Sequence, residues 1–335
     1  MAVDRIKLTA LAAACALAVA ACASRPSAGA ATAPPVAGHL KGVAFSPRAG
    51  SQGVAAFLRE LPSLGGTTSW SGDWAELASP SSSPYQISAL AAAQSSPLVV
   101  IVSAHRNSAP AALVRPLDEP TEAAYLSDLD QYFGKFRPNY FGLGIEINNL
   151  FESDPSGYRA FTMLFEKAAA KIHQLSPSTQ VFIVFQLEKM KGLKQGLLAN
   201  SSIPASGEWQ LLNDFPSADL FAFTSYPFLV YHDPSQIPSG YYTDIATHTS
   251  KALAISELGW PSAGVAAGWG STEQIQADFI DRFQSLAKGV GFRFVLWLSA
   301  YDQSSSGGAT FSSIGLAQAD GTQKAAWSRW EAATF

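Results

Sequence analysis

From His39 onward, short runs rich in Val, Ile, Phe and Leu alternate with longer stretches of helical periodicity, and no second linker interrupts them. Alternation of this kind builds βαβ units, in which each strand is covered on both faces by the helices that join it to the next. Eight runs read as strands: Lys41 to Phe45, Thr67 to Trp70, Leu98 to Ser103, Tyr140 to Ile147, Gln180 to Gln186, Leu220 to Ser225, Ala252 to Ser256 and Phe292 to Leu298. Several lack polar alternation, most clearly Leu98-Val99-Val100-Ile101-Val102, as central parallel strands should. Helical patterns over Thr121 to Phe136, Ser156 to Gln174, Thr272 to Lys288 and Ala325 to Ala333 fill the remainder, with Pro155-Ser156 and Ser271-Thr272-Glu273 as start signals. Eight strands in about 300 residues predict one α/β domain over 39–335, a single (β/α)8 TIM barrel. A doubly wound sheet would show fewer strands and a glycine-rich first turn.

The chemistry open to such a barrel is narrowed by what the chain lacks. With 22 basic against 26 acidic residues it has no basic excess to track a phosphate backbone, so nucleic acid is not an expected partner. Both cysteines, Cys15 and Cys22, precede the barrel, which leaves it no thiol, disulfide or zinc cluster. The five histidines show no ligand spacing, and the chain contains no GxSxG, HExxH, GxxxxGK[ST] or GxGxxG pattern, so neither a metal nor a cofactor is expected.

The amino terminus reads as an export signal. Arg5 and Lys7 give a short, slightly positive opening, and Leu8 to Ala21 is almost wholly Ala, Leu and Val, too short to span a bilayer. Val19-Ala20-Ala21-Cys22 resembles the bacterial lipobox, which implies cleavage of a signal peptide, 1–21, and lipidation of Cys22. Ordinary cleavage at Ala21-Cys22-Ala23, giving a secreted protein, is the alternative. Residues 22–38, dominated by Ala, Pro, Ser and Gly, then read as a flexible tether. The expected location is the bacterial cell envelope, on its periplasmic or cell-surface side, with the membrane touched through the lipid only.

In a barrel, function collects at the C-terminal ends of the strands. Two glutamates sit there in apolar surroundings, Glu146 in Gly142-Leu143-Gly144-Ile145-Glu146-Ile147-Asn148 and Glu257 in Ile255-Ser256-Glu257-Leu258-Gly259-Trp260-Pro261. Period-two alternation would put Gly142, Gly144, Glu146 and Asn148 on one side of the fourth strand, with the glycines leaving room inside the barrel. A pair of carboxyl groups flanking one bond is what glycoside hydrolysis needs, one to protonate the leaving oxygen and one to attack the anomeric carbon or activate water. Either glutamate alone reads as well as a structural ion pair.

The stretch Ile255-Ser256-Glu257-Leu258-Gly259-Trp260-Pro261-Ser262 resembles the nucleophile motif of glycoside hydrolase family 17, the β-1,3-glucanase-like enzymes, and more broadly of the clan A retaining glycosidases. The resemblance implies that Glu146, ending strand four, is the acid/base and Glu257, ending strand seven, the nucleophile. It also implies that Tyr226, in Thr224-Ser225-Tyr226-Pro227-Phe228, orients the nucleophile, and that Trp297 forms an aromatic platform under the sugar. The clan normally has Asn directly before the acid/base; this chain has Ile145, with Asn148 as a substitute if the strand end is bulged. The further expectations are that Trp70, Trp74 and Trp260 line subsites and that His105 contacts a substrate hydroxyl, that Glu146 has its pKa raised by its neighbour's charge and by partial burial, and that Glu188, beside Lys189 and Lys191, is a solvated loop charge. The implied activity is a retaining glycosidase acting on a β-linked poly- or oligosaccharide. Ile145 motivates the alternative, a surface lipoprotein that binds glycan without cleaving it.

Overall fold

The computed structural model describes residues 31–32 and 38–335 except 108–109, 202, 267–268 and 304–308. Residues 1–21 and Cys22 lie outside the described residues. Within 22–38, the pair Ala31–Thr32 forms a short parallel ladder with Phe136–Arg137.

Eight parallel strands close into a barrel: β1 Leu40–Ala44, β2 Gly66–Asp73, β3 Leu98–Ser103, β4 Tyr140–Leu143, β5 Gln180–Gln186, β6 Leu220–Ser225, β7 Ala252–Leu258 and β8 Phe294–Trp297. Neighbouring strands in sequence are neighbours in space, and β8 pairs with β1, Phe294 opposite Leu40 and Trp297 opposite Val43, to complete the ring. The helices are α1 Gly53–Glu60, α2 Ser83–Ala93, α3 Glu119–Phe133, α4 Ile147–Ser153, α5 Pro155–Leu175, α6 Leu187–Met190, α7 Glu273–Ala287, α8 Ala309–Ser312 and α9 Ala325–Ala332. The outer ring is thinnest after β5 and β6, where the four-residue α6 and a series of 3-10 turns stand in place of a long helix.

Side-chain alternation divides the strands between two cores. Val99, Ile101, Phe182, Val184, Leu220, Ala222, Ala254, Phe294 and Leu296 fill the barrel, while Val100, Val102, Phe141, Phe185, Phe221, Phe223 and Trp297 pack under the helices. Gly142 faces inward because a Cβ there would meet the Phe182 ring at 2.7 Å. α7 opens as its sequence predicts, with the Thr272 hydroxyl accepting from the Ile275 N–H. The seam is held at the foot by Lys41, whose ammonium donates to the carbonyls of Trp330, Glu331 and Ala333 at the end of α9, where the helix dipole favours a cation. Among the described residues no helix is long and apolar enough to cross a membrane.

Candidate active site

β4 is shorter than its sequence suggests. It stops at Leu143, and Gly144 and Glu146 both take positive φ, +86° and +49°, before α4 begins at Ile147. A left-handed glutamate costs about 1–2 kcal/mol, so its neighbours must hold it there. They do so from the end of β3: the Ser103 hydroxyl accepts from the Ile145 N–H at 3.1 Å, and His105 Nε2 donates to the Ile145 carbonyl at 2.9 Å. The turn aims the Glu146 carboxylate at three neutral donors. Thr224 Oγ1 donates to Oε1 at 2.6 Å, and Asn107 Nδ2 and Asn149 Nδ2 donate to Oε2 at 2.5 and 2.9 Å.

Glu257 reaches the mouth by a different device. β7 runs straight until Ile255, opposite Phe223, but the next pair on the β6 side is Thr224 with Glu257, so Ser256 is an extra residue. The same skip occurs against β8, where Ile255 pairs with Val295 and Leu258 with Trp297. Such a bulge re-aims the side chain that follows it. Glu257 thereby stands in register with Thr224, which already holds Glu146, and its Oε2 accepts from the Tyr226 phenol at 2.5 Å. Phe311 of α8 packs edge-on against the Tyr226 ring with centroids 5.0 Å apart.

Enclosure within the mouth, and then the charge of Glu146, push the Glu257 carboxyl up to about 8 against the pull of the Tyr226 hydrogen bond. Burial first, then Glu257 and Glu146, also raise the Tyr226 phenol, which stays a neutral donor. Among the described residues no three His, Cys, Asp or Glu side chains converge as a metal cage.

The structure brings Glu146, Glu257 and Tyr226 together, but it moves most other expected site residues into the interior. Asn148 is fully buried as the second residue of α4, where its amide donates to Glu208 and the Gln186 carbonyl and its oxygen accepts from the Gln186 N–H. The helical turn at Ile147 breaks the alternation that would have put Asn148 beside Glu146, and Gly144 points its hydrogen toward Phe161 and Ile183, not into the barrel. His105 is buried, and burial lowers it to about 4, so it is a neutral prop for the Ile145 carbonyl. Trp297 follows the inward-facing Leu296 and so faces the helices, with its indole donating to the Ile314 carbonyl and its ring against Trp330. Trp70, Trp74 and Trp260 are likewise core: Trp70 lies over Gly72, Trp74 stacks on Tyr125, and Trp260 packs on Phe279. Glu188 is not solvated; it is fully buried, while Lys189 pairs with Glu152 and Lys191 with Asp244.

Asn107, Asn149 and Thr224 are the site residues that sequence reading misses. Thr224 was visible as an inward position two residues before Tyr226 on β6. Asn107 lies in the connection of a small hairpin in which His105–Arg106 pair with Ala112–Leu113, and nothing in the local sequence marks it.

No protein-family model matches the chain, and no curated protein does. Solved structures do. A family 39 glycoside hydrolase from Bacteroides cellulosilyticus WH2 superposes with a TM-score of 0.60 at 13% identity, over 87% of this chain and 62% of that one. A family 53 glycoside hydrolase catalytic domain from Ignisphaera aggregans gives 0.59 at 14% identity, over 91% and 99%. A family 17 β-1,3-glucanosyltransferase from Rhizomucor miehei gives 0.56 at 13% identity, over 85% and 95%. The chain thus spans less than two thirds of the family 39 protein and almost all of the other two. It shares the (β/α)8 barrel fold of these glycoside hydrolases.

Proposed function

We propose that this protein is a retaining glycosidase of the clan A type, acting on a β-linked poly- or oligosaccharide through Glu257 as nucleophile and Glu146 as acid/base. The observation that carries the reading is the placement of the two carboxylates at the ends of β4 and β7, joined through Thr224, which bonds to one and stands in register with the other. The charge of Glu146 adds to enclosure in holding the proton on Glu257, because a second negative charge in the same mouth is costly. With its pKa raised to about 8, Glu257 carries a proton at neutral pH before a sugar enters. The positive charge that develops on the anomeric carbon would favour the ionised form of Glu257, leaving the proton with Glu146 for the departing oxygen. Glu257 would then form the glycosyl ester. Glu146, now a carboxylate, would take the proton of the water, or of the second sugar, that releases it.

The test is reducing-sugar release by the purified protein from β-glucans, β-mannans and β-galactans, beside the Glu257→Gln variant. Release that disappears in the variant, with the anomeric configuration retained in the first product, supports the reading. Inversion of configuration rejects the nucleophile role of Glu257.

The glycan-binding alternative draws on Ile145, whose side chain packs on the barrel-filling cluster and offers no donor beside Glu146. Binding without release from any polymer would favour it. For location we propose export and a lipid on Cys22; detergent-phase partitioning that is lost in Cys22→Ala tests this.

A further inference from the structure

Glu188 has no part in the mechanism just described, yet it is the most enclosed carboxyl group near the site. Its side chain is fully buried, and among the described residues no lysine, arginine or histidine pairs with it. Four neutral donors converge on it instead. Gln186 Nε2 donates to Oε2 at 2.6 Å, while the Tyr241 phenol, the Tyr226 backbone N–H and the Ser225 hydroxyl donate to Oε1 at 2.8, 3.0 and 3.4 Å. A buried carboxyl group without a cation is expensive, and a glutamine or methionine would fill the space at lower cost. The position therefore asks for a reason.

The reason lies in the Tyr226 N–H. The β6 ladder ends at Ser225, opposite Leu258, and Pro227 after it has no N–H to offer. Tyr226 thus sits one residue past the strand, at φ −131° and ψ 68°, and its amide is taken by the Glu188 carboxylate. The phenol at the other end of the same residue donates to Glu257. We propose that Glu188 is a positioning residue: by fixing the backbone of Tyr226 it holds the phenol on the Glu257 carboxylate and so sets the ionisation of the nucleophile. This rests on the reading of Glu257 as nucleophile given above.

The surroundings make the hold pH-dependent. Burial, with a smaller push from Glu146, raises Glu188 to about 7, and the hydrogen bonds from Tyr241 and Tyr226 pull against that rise. The other titratable groups that act on it are the phenols of Tyr231 and Tyr242, which with Tyr226 and Tyr241 are all raised and remain neutral. As pH falls through the neutral range Glu188 therefore passes from a strong anionic acceptor to a weaker, protonated one.

The experiment is a titration of the full chain carrying 13C-labelled glutamate carboxyl groups. In Glu188→Ala the Glu257 midpoint should rise by about one pH unit, the size expected for loss of a hydrogen bond to a carboxylate. Glu188→Gln, which keeps an oxygen for the Tyr226 amide, should restore most of that shift. In a Tyr226→Phe background Glu188→Ala should move the midpoint no further. An unchanged Glu257 midpoint, or an equal shift without the phenol, overturns the proposal. If the alanine variant does not fold, the parent decides: the Tyr226 amide proton must titrate with the midpoint of the Glu188 carboxyl, and independent behaviour overturns the proposal. None of these readings needs turnover, so an inactive parent would reject the glycosidase reading while leaving the titrations to judge Glu188.

Discussion

At the end of β4 the backbone leaves its strand, turns left-handed at Glu146 and delivers the carboxylate to three neutral donors drawn from β6, α4 and the hairpin after β3. At the end of β7 the strand continues through a bulge and delivers Glu257 to one phenol inside an enclosed mouth. The difference teaches how one barrel can give two chemically identical groups opposite tasks. A carboxylate surrounded by donors from several elements is held in place by many weak ties, whereas one governed by enclosure and a single bond has its proton affinity set by very little.

The sharpest way to break this comparison is to remove each carboxylate in turn. Glu257→Gln should abolish turnover on every substrate, while Glu146→Gln should cost roughly 10²–10⁴-fold on polysaccharide, the usual worth of a general acid. With a nitrophenyl glycoside, whose leaving group needs no proton, the first step should be nearly spared in Glu146→Gln and still absent in Glu257→Gln; burst kinetics would show it. Equal loss in both variants would mean that the roles are not divided.

A smaller effect is expected from the donors. Asn107→Ala or Asn149→Ala should each lower kcat/KM by roughly tenfold to a hundredfold, as for loss of one bond to a charged group, with little change in melting temperature. Tyr226→Phe should act mainly on pH. Its phenol pulls the Glu257 pKa down from an enclosure that pushes it up, so removing it should carry the acid limb of the activity profile upward by about one unit.

The smallest effect is thermodynamic. Glu257 lies at about 8 in the folded chain against 4.5 unfolded. Between those values the unfolded chain has released its proton while the folded one retains it, so stability falls as pH rises through that window. Glu257→Gln, which never ionises, should gain on the parent in chemical denaturation as pH goes from 4.5 to 8, and a constant difference would show that the site does not resist ionisation.

The fold was legible because strands buried on both faces advertise themselves. Leu98–Ser103, Gln180–Gln186 and Leu220–Ser225 begin and end where the apolar runs do. Glu257 was legible for a related reason, since bulge, glutamate and Gly-Trp-Pro turn are contiguous. Glu146 was found, but its partners were not, because Asn107 and Thr224 approach from 39 and 78 residues away along the chain. The tryptophans misled by parity: one step along β8 separates Leu296 inside the barrel from Trp297 outside it. Glu188 misled by its neighbours, because two adjoining lysines suggest a solvated face until Glu152 and Asp244 are seen to claim them.

The seam between β8 and β1 sets the order of events in the life of the chain. Leu40 meets its partner Phe294 only after some 250 intervening residues have been made, and the Lys41 clasp on α9 needs residues later still. A ring that closes on its first and last strands cannot be sealed from a partial chain. The ring therefore stays open until β8 has been made, and a holdase that engages the chain before then has no closed barrel to pull apart.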